Sequence, residues 1–154
     1  MSNTKTTQVF RVSEGKKYQL GRLAMSFKRT DGEDEGAYSL FETAEPVGAG
    51  AGVHRHPGFQ ETFIVIEGTF TFEVDAVPHD VGPGDVIVVP RGAWHGFRCT
   101  SSQPGRLLTI SSPARVFEAG VAEICAANVD TGSPDGGVAH DMRAIAARHG
   151  LEFR

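Results

Sequence analysis

His54 and His56 stand one residue apart just before Pro57-Gly58, and Glu61 follows the chain reversal that this dipeptide makes. On a β-strand alternate side chains share a face, so the two imidazoles lie on one side of the chain, about 6–7 Å apart along it. From there two ring nitrogens can converge on one ion at about 2.0–2.1 Å, the bond length typical of zinc. Glu61 lies five residues past His56, an odd offset that an unbroken strand would send to the opposite face. The reversal removes that conflict, and residues 61–66 then run as a second strand ended by Gly68. A later stretch, 84–99, answers the first. Residues 85–89 read as a strand, Pro90-Arg91-Gly92 turns the chain, and His95 opens another strand. Three imidazoles and one carboxylate are an ordinary ligand set for a divalent transition ion.

The rest of the composition bounds the fold around this pattern. At 154 residues the chain is long enough for one domain with a real core and short for two. Its 19 glycines and 8 prolines punctuate short hydrophobic runs at fairly regular intervals, which is how an all-β sandwich or barrel reads. The formal net charge of -4 argues against a nucleic-acid surface, which needs a basic patch. No apolar run approaches membrane-spanning length. No hydrophobic segment of a secretory signal follows the first residues, so neither nucleic acid nor membrane is an expected partner. Cys99 and Cys125 form neither a close metal-binding pair nor a disulfide framework, and a reducing cytoplasm is the expected setting.

Three segments are expected: an arm over 1–16, a β-barrel over 17–115, and an extension over 116–154 with a helix at about 138–149. Residues 9–12 read as a short edge strand and 18–29 as one long strand, with Leu23, Met25 and Phe27 on one face. The acidic cluster in 30–36 reads as a solvated turn, because its spacing fits no calcium loop. Residues 38–43, 69–74 and 107–111 are further strands, and 75–84 reads as a hairpin loop with His79 on the surface. Phe97 and Cys99 point inward with His95. Cys99, about 13 Å along the strand from His95, is read as a small buried hydrophobe, and Trp94, on the other face, as packing. Residues 116–129 fit strand or helix equally, and 131–137 form a turn-rich connection. The helix at 138–149 places Met142, Ile145 and Ala146 on one face and ends at Gly150, with His140 and His149 read as surface histidines.

The residues also carry a family resemblance. Gly48, five residues, His54-x-His56, four residues, Glu61, six residues and Gly68 resemble the first cupin motif at every fixed position. Gly84, five residues, Pro90-x-Gly92, two residues and His95 resemble the second, with Cys99 where the family has Asn. Fifteen residues, 69–83, separate the two motifs, which suits a small cupin. The resemblance implies an all-β, single cupin fold (a double-stranded β-helix or jelly-roll barrel) with a short C-terminal helix. It also implies one divalent transition metal (Fe, Ni, Co, Cu, Mn or Zn) held by His54, His56, Glu61 and His95. The ending His149-Gly150-Leu151-Glu152-Phe153 resembles the tails of small quercetin-dioxygenase-like cupins, and small cupins commonly form homodimers.

Four protein ligands leave a position open for water, dioxygen or a substrate oxygen. Phe63, Val65, Phe72 and Phe97 are expected to line a pocket beside the ion, since apolar walls around a few polar groups are how small-molecule sites are built. Glu61 is the expected general base as well as a ligand. The expected activity is that of a metal-dependent dioxygenase for a small hydroxylated aromatic or enolic compound. The alternatives are a non-redox cyclase, isomerase or decarboxylase, or a small-molecule-binding cupin without turnover.

Overall fold

In a computed structural model that describes residues 7–30, 36–114, 117–127 and 140–154, the chain is mostly β, with two short helices. Among the described residues eleven strands form two sheets. Five of the first six-stranded sheet are β1 (Lys16–Leu20), β2 (Leu23–Arg29), β3 (Ser39–Glu45), β5 (Gln60–Glu67) and β10 (Gly105–Ser112); with β8 (Val86–Val89) they run in the order β1-β2-β3-β10-β5-β8. The second sheet contains β4 (Gly50–Arg55), β6 (Phe70–Val74), β7 (Val77–Val81), β9 (His95–Cys99) and β11 (Glu152–Phe153), in the order β11-β4-β9-β6-β7. All pairings are antiparallel. Among the described residues the two sheets share no strand pairing, and they face one another as a jelly-roll sandwich.

Alternation decides what lies between them. On β10, Gly105, Leu107, Thr109 and Ser111 are buried, while the intervening residues are half-buried on the outer face. One core cluster joins Phe63, Val65, Val89 and Leu107 of the first sheet to Phe70, Phe72 and Cys99 of the second. A fully buried Phe contributes about 1.5–3 kcal/mol relative to an exposed one, so this cluster is a main source of cohesion. A second cluster packs Met25, Phe27 and Phe41 against Val121 of helix α1 (Phe117–Ala127). Glu118 anchors that helix by accepting hydrogen bonds from Lys16 Nζ, at 2.6 Å, and from the Tyr18 hydroxyl. A third joins Ile124 of α1 to Met142 and Ile145 of helix α2 (His140–Arg148).

Several expectations are corrected. Residues 9–12 form no strand, and Val9, Phe10 and Val12 are exposed. The segment 18–29 is not one strand but the β1–β2 hairpin, which Gly21 permits by adopting a φ of 59°. The expected loop 75–84 contains β7, joined to β6 by Asp75 and Ala76, both at positive φ. Two residues at positive φ make the hairpin turn whose twist matches the flanking strands. The Asp75 side chain accepts a hydrogen bond from the Trp94 N–H at 3.0 Å and steadies the turn. His79 is exposed, on β7 rather than in a loop. The ambiguous stretch 116–129 is helical over Phe117–Ala127, so the fold carries two helices rather than the expected one. The acidic residues 31–35 and the connection 131–137 lie outside the described residues.

Glu45 is the misfit of the interior. It is fully buried, and neither carboxylate oxygen has a hydrogen-bond partner. Burial pushes its pKa up from 4.5 to about 7, against a smaller downward pull from Thr43. The native state therefore keeps a proton that the unfolded chain releases. Native stability is fully present below about pH 4.5 and falls as pH rises towards 7, by at most roughly 3 kcal/mol. Urea unfolding from pH 4 to 8 is expected to show this decline in the wild type and a flatter profile in Glu45→Gln. Identical slopes in the two proteins would refute it.

Candidate metal centre

His54 and His95 face each other as a register pair of β4 and β9, and His56 follows the end of β4. The reversal at Pro57-Gly58 carries the chain across to the other sheet, where Glu61 enters on β5 beside Ser111 of β10 and Val89 of β8. Three imidazoles from one sheet thus meet a carboxylate from the other. All four side chains are buried, and their donor atoms lie within 4.8 Å of one another. Two ligands trans across one ion span about 4.2 Å at ordinary bond lengths, so little contraction is needed.

The atoms behind these donors are held. His54 Nδ1 donates to Gly52 O at 2.7 Å, and His95 Nδ1 to Ala93 O at 3.0 Å. A carbonyl oxygen only accepts, so in both rings Nδ1 carries the proton, the arrangement that readies Nε2 as a ligand. Ser111 Oγ donates to Glu61 Oε1 at 3.2 Å. Glu61 Oε2 lies 3.1 Å from His56 Nε2 and 3.2 Å from His95 Nε2. Neither His56 nitrogen makes a hydrogen bond of good geometry, although both are buried and the ring is stacked on Phe59, with centroids 4.3 Å apart. Buried nitrogens without hydrogen bonds, aimed into a set of other donors, fit a metal ligand better than a structural histidine.

Electrostatics agree with that fit. Burial, reinforced by His56 and His95, pushes the pKa of His54 down to about 3, so its ring is neutral. For Glu61 burial acts upward but is overcome by His56 and His95, which hold the carboxyl well below the usual carboxylate range. Burial pulls His95 down, yet its bond to Glu61 prevails and raises it. The buried His-His-Glu-His cluster is compatible with a single metal ion, whose identity the donor set leaves open.

A cavity of about 790 Å³ opens onto the cluster, and His54 and Glu61 stand in its wall. Of the four expected pocket residues, Phe63 and Phe97 line it. Val65 and Phe72 do not; they are 2% and 0% exposed in the core behind it. In their place stand side chains of the helical region and the chain end, among them Phe117, Met142 and Phe153. Sequence periodicity gave no sign of these, because they reach the cavity only when the helices fold back onto the sandwich. Ser111 was likewise missed as the support of Glu61. Its signal was the inward alternation of β10. Cys99 belongs to the core, with Sγ 3.3 Å from Ser101 Oγ. Trp94 packs as expected, with the Arg55 and Arg154 guanidinium groups each 4.6 Å from its ring centre. His149 pairs with Glu123 between the helices, and the His140 side chain lies outside the described residues.

Residues 41–111 match the model of the cupin domain. This part of the chain has the cupin fold. It includes all four clustered residues. Over 83 residues the chain is 31% identical to quercetin 2,3-dioxygenase of Bacillus subtilis (strain 168), covering 54% of this chain but only 23% of that protein. The structure of KdgF from Halomonas sp. superposes with a TM-score of 0.62 at 20% identity, over 71% of this chain and 96% of that one. The polyketide cyclase RemF from Streptomyces resistomycificus gives 0.57 at 20% identity, over 71% and 80%. These two likenesses establish the shared cupin fold.

The cluster predicts about one divalent ion per chain after reconstitution, measured by elemental analysis. His56→Ala and His95→Ala are each expected to lose it, and unchanged metal content in both would remove the site. Occupancy should fall below about pH 6, where protons compete for imidazole nitrogens.

Proposed function

We propose that this cupin is a metal-dependent dioxygenase acting on a small hydroxylated aromatic or enolic compound, with His54, His56, Glu61 and His95 as the ligands. The observation that carries this reading is the convergence of four buried donors, two of which, His54 and Glu61, stand in the wall of a largely apolar cavity. Similarity to a quercetin 2,3-dioxygenase over half of the chain supports the oxidative form of it. When bound, a redox-active ion supplies the electron exchange with dioxygen that organic side chains cannot. The protein's own residues do the remaining work. Phe63 and Phe97 offer flat apolar surfaces to a planar ring and keep bulk water from reactive intermediates. Glu61, held ionised, accepts the proton of the substrate hydroxyl at a carboxylate oxygen. It is a weak base while both imidazoles face it, so the transfer goes forward as the substrate takes over the contacts of Oε2. Ser111 keeps Oε1 oriented meanwhile.

The same residues serve a non-redox reaction, cyclisation, isomerisation or decarboxylation, in which an ion only polarises a carbonyl. Oxygen uptake on a panel of catechols and flavonols, repeated anaerobically, separates the two. Dioxygenase activity is expected to vanish without oxygen, and full anaerobic turnover would sink the oxidative reading. In Glu61→Gln with metal retained, turnover should fall roughly 10²- to 10⁴-fold, the usual contribution of a positioned base.

We also propose a homodimer. On the outer face of the first sheet Ile66, Val86 and Val88 are 39%, 56% and 57% exposed, and edge strand β8 has no second neighbour among the described residues. Light scattering is expected to give about twice the 16.5 kDa chain mass, and Val88→Asp to lower it. A wild-type mass of one chain rules the dimer out. The free cysteines Cys99 and Cys125 suit a reducing cytoplasm.

A further inference from the structure

His54 is held differently from its partners. Glu61 lies on β5, between β10 and β8, and His95 on β9, between β4 and β6. His54 lies near the end of β4, whose outer neighbour is only the two-residue strand β11, in register Glu152↔Arg55 and Phe153↔His54. On its inner side β4 slips against β9: Ala51 pairs with Phe97 and His54 with His95, so β4 carries one extra residue between these pairs. Such a bulge re-aims the next side chain and frees backbone groups from the ladder. Both carbonyls of this bulge are used. Gly52 O accepts the His54 Nδ1 proton, and Val53 O accepts the Arg154 N–H at 3.1 Å. The first orients the ring, and the second ties the bulge to the chain end.

That chain end is itself anchored to the helices and to the strand it covers. Gly150 turns the chain after α2 at a φ of 74°, and the Leu151 N–H returns to Ala146 O at 3.0 Å. Arg143 of α2 donates Nη1 to Phe153 O at 2.9 Å and Nη2 to Arg154 O. Arg55 Nε donates to Glu152 Oε2 at 2.8 Å. The Phe153 ring lies against the His54 ring, with centroids 5.4 Å apart and planes at 34°, and it lines the cavity.

We propose that residues 151–154 are a positioning element of the metal centre. Phe153 and Arg154 hold the β4 bulge and the His54 ring in the ligating orientation, so docking of this segment and metal binding strengthen each other. The coupling is reciprocal by linkage: an ion held by His54 must tighten the segment by the same factor that the segment tightens the ion. The inference rests on the reading of the four residues as ligands.

Its test uses the full-length protein, stripped of metal and titrated with cobalt(II) and zinc(II) against a chelator, with the visible spectrum of the cobalt form recorded. Phe153→Ala and a variant ending at residue 151 are expected to bind roughly 10- to 100-fold more weakly, the range for losing an outer support. Their cobalt spectra should change, and Phe153→Leu should recover most of the affinity. In the wild type, zinc should slow amide exchange at Phe153 and Arg154. Unfolding midpoints of the metal-free variants separate this from a general loss of stability, which would leave the cobalt spectrum unaltered. Affinities within about twofold of wild type and unchanged amide exchange would overturn the inference alone. A wild type that takes up neither ion would overturn both the inference and the metal reading. If the shortened variant does not fold, Phe153→Leu against Phe153→Ala and the wild-type exchange data still decide.

Discussion

An ionised carboxylate in an apolar interior is costly unless charge or hydrogen bonds meet it, and Glu61 is such a group, 3% exposed and held in its charged form. The arrangement around the site follows from satisfying it. Ser111 donates to one oxygen, while His56 and His95 bring ring nitrogens to the other. Those histidines come from the opposite sheet, so the same contacts pin the two layers of the sandwich together at one end. Glu45 shows the other outcome. Equally buried but without hydrogen-bond partners, its carboxyl has its pKa pushed up instead, to about 7.

Bringing His54 and His95 together across β4 and β9 constrains the backbone of these two strands. A Cβ at Gly50 would lie 1.9 Å from Phe97 O, and one at Gly96 would lie 2.9 Å from Ala51 O. Both glycines sit where β4 and β9 pair, Gly50 just before the bulge that aims His54 and Gly96 opposite it. Side chains there would push β4 off β9 and separate His54 from His95. The glycine-rich approach to the histidines is thus a packing requirement of the β4–β9 pair that carries His54 and His95.

The cavity couples this centre to the helical region. Helix α1 covers β1, β2 and β3 through the Met25–Phe27–Phe41 cluster, and α2 packs on α1 through Met142 and Ile145. Their apolar faces close the space above the cluster, and the chain then returns along β4. A ligand in that space would touch Phe63 and Phe97 from the strands together with Phe117 and Phe153 from the helical region and chain end. The cavity wall is accordingly shared between the sandwich and the segment that follows it.

The four clustered residues were legible in the sequence because strand alternation and turn chemistry are local: His-x-His fixes one face, Pro57-Gly58 reverses the chain, and Pro90-x-Gly92 returns it. The strands 60–67, 70–74 and 105–112 were legible for the same reason. The hairpin at Gly21 was not, because apolar residues continue on both sides of it, and the only marks of the turn are a change of phase between Leu20 and Leu23 and a positive φ. Residues 116–129 stayed ambiguous because a short apolar run has no decisive period until it finds a surface to pack on. By itself, then, the sequence determined a β-rich cupin fold and the four residues that cluster in it. The tertiary structure alone decided that Val65 and Phe72 fill the core while Phe117 and Phe153 face the cavity, and that β11 borders His54. Those outcomes depend on contacts between residues distant in the chain, which no local spacing encodes.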